Sequence, residues 1–92
     1  MRPTVVDLVT PHLLRIVDLA NEAQKGVNVH WHLSDAVNRS MAGMADQYNA
    51  STLVAAYVEG LESLVAQAPP AREDYLRVLK TAVDAARRLR RD

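Results

Sequence analysis

The 92-residue chain carries no net charge, and 49% of its residues are apolar. That balance suits a single folded helical domain over 1–92, small enough to gain stability from oligomerisation, and it excludes general disorder. The absence of cysteine excludes disulfides, thiolate zinc sites and cysteine nucleophiles.

Met1-Arg2-Pro3-Thr4 is followed by Asp7 and Pro11 rather than by an apolar signal core. No apolar run approaches the about 18 residues that a membrane span needs. A soluble, cytoplasmic protein with no membrane contact is the expectation. Residues 4–9 fit either a short strand or a first helical turn. Thr10 is a good N-cap and Pro11 suits the first helical position. Leu13, Val17, Ala20 and Ala23 then recur at helical spacing, and Lys25-Gly26 supplies a stop, which predicts a helix over 11–25. His12, in its first turn, reads as a surface residue.

Val27-Asn28-Val29-His30-Trp31-His32-Leu33 alternates strictly between apolar and polar residues. Period two with β-branched and aromatic residues predicts a half-buried strand over 27–33. A lone strand needs a partner for its backbone, either residues 4–9 or the same strand of a second copy. Ser34-Asp35 offers an N-cap, and Val37, Met41, Met44 and Tyr48 make the stripe of a helix over 35–48. Ala42, Gly43 and Ala45 lie among them and leave room for another backbone to approach. Asn49 and Ser51 mark a stop and a restart. Leu53/Val54, Tyr57/Val58, Leu61 and Leu64/Val65 give helix 51–67 an apolar face broad enough to suggest burial from two sides, as in a dimer. Gly60 within it suggests a close crossing. Pro69-Pro70 breaks this helix, and Tyr75, Leu79, Ala82, Ala86 and Leu89 define a last one over 71–90.

Charge is unevenly spread. Between Arg72 and Arg91 seven basic residues face three acidic ones, net +4, and the remainder carries net −4. The basic end suits an acidic partner or nucleic acid, and equally the negative end of a helix dipole. The glycines at 26, 43 and 60 are isolated, so no phosphate loop is present, and no carboxylate pair or nucleophile is placed for acid–base work. The chain reads as a non-enzyme without a cofactor. On a strand, His30 and His32 would point the same way and could share a metal ion with His12 or Asp35; that ligand set is incomplete, and no metal site is assigned.

The order strand, helix, turn, helix over residues 27–66 resembles the ribbon-helix-helix family of DNA-binding proteins, of the Arc and Met repressor type. Val27-Asn28-Val29-His30-Trp31 is similar to the family's alternating strand. Val37, Met41 and Met44-Ala45 resemble its first-helix core pattern, and Leu53, Val54, Tyr57 and Leu61 that of its second helix. The resemblance implies a mainly α fold with one short strand, a ribbon-helix-helix-like core with added N- and C-terminal helices, and an intertwined homodimer. It further implies a ribbon in the major groove, with Asn28, His30 and His32 facing the bases and Ser51-Thr52 gripping a phosphate. The segment Val27–Ala68 is net −3, so Arg87, Arg88, Arg90 and Arg91 would supply the charge that DNA requires. The function expected is thus that of a dimeric DNA-binding transcriptional regulator or antitoxin-like repressor. The alternative is a small helical protein–protein interaction adaptor with no nucleic-acid role.

Overall fold

The computed structural model describes residues 4–90 as four helices: α1 (Val5–Gln24), α2 (His30–Ala45), α3 (Ala50–Gln67) and α4 (Glu73–Leu89). No strand occurs among the described residues, and none of their helices is long and apolar enough to cross a membrane. The ribbon-helix-helix core is therefore replaced by an all-α bundle, and the ribbon that was to join two copies does not exist.

Two start signals compete for α1. The earlier one prevails through a capping box, in which the Asp7 amide donates to Thr4 Oγ1 at 3.1 Å and the Thr4 amide donates to Asp7 Oδ2 at 3.0 Å. Residues 4–9 thus open a helix, and Pro11 lies inside it rather than at its start. Pro11 has no N–H to give the Asp7 carbonyl, a local loss. The longer helix offsets this by adding Val9 to the buried face that Ile16 and Ala20 continue.

Helix α1 ends where Lys25-Gly26 predicts. Gly26 adopts φ +100°, its amide donates to the Ala23 carbonyl at 2.9 Å, and the Val27 amide donates to the Glu22 carbonyl at 3.1 Å. This pair of bonds is a Schellman motif, and it consumes Val27 in the turn. Asn28 Oδ1 then accepts from the His30 amide at 3.1 Å, and the Leu33 amide donates to the Val29 carbonyl at 2.7 Å. The segment 27–33 is thus a turn followed by the first turn of α2.

On a strand, its four apolar residues would share one face. Instead Val29 and Leu33, four apart, enter the core, while Val27 and Trp31 stay exposed. Val29 and Leu33 begin a helical stripe that runs on through Ala36, Val37, Ser40, Met41 and Met44. The backbone satisfies itself within the helix and needs no second copy. The broad face of α3 is likewise absorbed within one chain: Leu53, Tyr57, Val58 and Leu61 are buried, with Leu64 and Val65 partly covered. Both grounds for an intertwined dimer are gone.

Helix α4 packs on all three others and most extensively on α1. Its buried face is Tyr75, Val78, Leu79, Ala82, Val83 and Ala86. At its N-terminus α1 provides the cap that Arg72 lacks: the Tyr75 amide donates to Gln24 Oε1 at 3.1 Å, and Arg72 Nη2 donates to Asn21 Oδ1 at 2.7 Å. The end of α1 therefore meets the start of α4, and the two run side by side in opposite directions. Glu73 and Asp74 at the start of α4, and Arg87 and Arg88 in its last turn, match its dipole.

The assignment of 27–33 is testable by substitution. Leu33 is 4% exposed and Trp31 73%, so Leu33→Ala is expected to cost about 2–5 kcal/mol and Trp31→Ala no more than about 0.5 kcal/mol. Urea unfolding followed by circular dichroism measures both; equal losses would restore the strand.

Candidate functional site

The residues expected to face DNA from the ribbon are separated. Asn28 stays exposed just ahead of α2, its Oδ1 occupied in accepting from the His30 amide. His30 lines a cleft of about 360 Å³ against Asp74, Arg77 and Thr81 of α4, where Arg77 is paired with Asp74 at 2.9 Å. Positions two apart on a helix differ by about 200°. His32 accordingly points away from His30 and lies edge-on to Trp31, ring centroids 6.0 Å apart. The shared orientation needed for a metal ion is lost, and no group of three His, Asp or Glu side chains among the described residues could hold one.

His12 is half-buried rather than on the surface, where α1, α2 and α3 meet. Its Nδ1 lies 2.8 Å from Ser40 Oγ, and its ring stands edge-on to Tyr57 at 6.2 Å. A Ser–His contact invites comparison with a nucleophile and its base. Ser40, however, is 3% exposed, closed off from any substrate, and the pair acts as a polar joint between helices. The Tyr57 hydroxyl beside it is fully buried and has no hydrogen-bond partner among the described residues. Burial pushes its pKa from 10 up to about 12; the nearby Ser40 hydroxyl pulls it down slightly without completing a bond of ordinary geometry.

A third feature joins residues far apart in sequence. α2 and α3, although consecutive, touch less than any other helix pair. Small side chains at Ala42, Ala45 and Ala50 leave a hollow between them, floored by Met41 and Val54. The end of α4 closes one side with Leu89 and the C-cap residue Arg90, giving an open groove of about 570 Å³. Asn38 and Ser51 supply its polar edge. Gly43 is exposed, and a Cβ built on it meets nothing within 4 Å, so the room left by the small residues lies on the surface and not at a helix crossing. Gly60 does mark a close approach, with Leu13 Cδ1 2.6 Å from where its Cβ would be. Tyr48, in the turn between α2 and α3, is 98% exposed instead of continuing the core stripe of α2.

Of the residues selected from sequence, Ser51 and Arg90 come together in this groove. Thr52 is exposed beside Ser51 in the first turn of α3, which Asn49 leaves without a side-chain cap. Arg87 is held by Glu62 at 3.2 Å, Arg88 is exposed, and Arg91 lies outside the described residues. Asn28 and His30 sit at the opposite end of α2, roughly 20 Å from Ala45 at 1.5 Å per residue. Met41, Val54, Leu89 and Tyr48 were not singled out as site residues, because each reads from sequence as part of a core stripe. A comparison with protein-family models, curated proteins and solved structures finds no significant match to any of them.

Tyr57 gives a pH test. An unpartnered buried hydroxyl is costly, so Tyr57→Phe is expected to leave stability at pH 7 unchanged or raised. Because the folded pKa is the higher one, the tyrosine's contribution is intact below pH 10 and declines between pH 10 and about 12, as the unfolded chain ionises first. The wild type should lose roughly 2 kcal/mol more than Tyr57→Phe across that window. Urea unfolding of both proteins from pH 9 to 12 checks this; parallel losses would contradict it.

Proposed function

We propose that this chain is a small helical protein-interaction adaptor that takes a segment of a partner protein into the groove between α2, α3 and the end of α4. The observation that carries the reading is an apolar hollow left open on a domain whose own core is complete. Tyr48 stands almost fully exposed in the turn beside it, and Leu89 is exposed on its far wall. Contiguous exposed apolar surface commonly marks a protein contact, and tyrosine is enriched where binding energy concentrates.

A nucleic-acid role has less support. The chain as a whole is neutral, Arg87 is already neutralised by Glu62, and Asn28 and His30 are a helix length away from Arg90. Phosphate binding draws on clustered, available cations.

Site-specific photo-crosslinking tests the proposal. A benzophenone side chain at Ser51 should give nuclease-resistant adducts with a discrete polypeptide in extract of the native cell. The same group at Asp18 on α1 should not, and Ala45→Glu, which fills the groove from an exposed helix position, should abolish the Ser51 adduct. Adducts to nucleic acid, or adducts equal at both positions, would contradict it.

A further inference from the structure

We infer that the partner is a second copy of this chain, and that each copy places Tyr48 in the groove of the other. This inference rests on the docking groove proposed above and names its occupant. The contact joins two domains whose cores are already complete, so no core element is exchanged between them.

Tyr48 stands at the rim of the hollow that it would fill in a second copy. It lies in the turn joining two lining segments, Ala45 at the end of α2 and Ala50-Ser51 at the start of α3, yet it does not line the groove of its own chain. At 98% exposure its ring touches almost nothing in that chain. A protrusion and a hollow side by side on one surface make a self-complementary patch. A two-fold axis between them brings each protrusion to the other copy's hollow, and the contact closes after two copies.

The chemistry of the groove suits this side chain. Met41 and Val54 floor it, and a methionine thioether packs favourably against an aromatic ring. Tyrosine joins an apolar ring to a hydroxyl that needs a hydrogen-bond partner when buried. The polar edge supplies one. Asn38 donates from Nδ2 to Ser34 Oγ at 3.5 Å, which leaves its side-chain carbonyl to accept, and the Ser51 hydroxyl lies on the same rim.

The surroundings favour a copy of the same chain. Because α1 and α4 run in opposite directions side by side, α1 starts where α4 ends. Val6, Leu8, Tyr48 and Leu89, four of the seven large apolar side chains exposed among the described residues, therefore belong to this end of the bundle and add apolar surface for the contact to cover. The chain is neutral overall, a condition that promotes self-association. Asp46 beyond Ala45 and Arg88 before Leu89 bring both signs of charge to this end, so two copies do not meet there with a single sign.

Sedimentation equilibrium of the full chain makes the test. The wild type should form reversible dimers. Tyr48→Ala, which removes the protrusion, should weaken them roughly a hundredfold, about tenfold for each of the two buried rings. Ala45→Glu, which fills the hollow, should do likewise, and circular dichroism confirms that each variant folds. Mixed together, the two variants should form a heterodimer tighter than either makes alone, since one keeps an open groove and the other a Tyr48 to enter it. Dimers that survive either substitution, or two monomeric variants that do not pair on mixing, would overturn the inference. A wild type that stays monomeric from micromolar to millimolar concentration would also overturn it, while leaving the groove as a docking site if the Ser51 crosslink to a different polypeptide persists. Loss of that crosslink as well would overturn both.

Discussion

The bundle depends on burial of one face of α4. Helices α1, α2 and α3 each turn an apolar stripe inward, and α4 is the surface that all three share. Alanines at 20, 36, 82 and 86 are completely buried, and such small side chains let helix backbones come close enough for Ile16, Leu53, Leu61 and Leu79 to fill the centre. Because a domain of this size has little stability to spare, the polar details at the ends of α4 matter as well. Gln24 caps its start, the Arg72 guanidinium stacks 4.2 Å from the centre of the Tyr75 ring, and Glu62 holds Arg87 at its end. The same arrangement positions the groove. Where the end of α4 passes the α2–α3 pair, the three helices leave an open groove lined by Met41 and Val54.

What could be read from the sequence is what local chemistry decides. Gly26 ends α1 because its positive φ completes the Schellman turn, and α3 runs Ala50–Gln67 against the 51–67 that its apolar spacing predicts. Two local signals misled. Thr10-Pro11 is a plausible start, but Thr4 and Asp7 satisfy each other reciprocally, and only the longer helix buries Val9. In 27–33 the alternation is real in sequence, yet it hides a four-residue repeat. Val29 and Leu33 belong to the helical stripe that continues to Met44, and Val27 and Trp31 sit outside it. Period two and a period near four coincide over so short a stretch; following the pattern to residue 44 separates them.

The candidate site was legible only in fragments. Ser51 and Arg90 stand out in sequence as a phosphate contact and a basic end, whereas the fold makes them two edges of one apolar groove. Residues 41, 54 and 89 converge through tertiary packing, and no spacing rule relates them. The meeting of His12 with Ser40 and with the Tyr57 ring was equally hidden, since it draws one residue from each of three helices.

The central claim is that residues 30–45 form one continuous helix packed within its own chain, so that the domain closes on itself and leaves the groove as its open surface. Nuclear Overhauser contacts in a dilute solution of the chain test it most directly. The account predicts helical Cα shifts and unbroken sequential amide–amide contacts from His30 to Ala45, together with contacts between Leu33 and residues of the same molecule. Extended shifts over 27–33, with Hα–Hα contacts between labelled and unlabelled copies in a mixed sample, would contradict it.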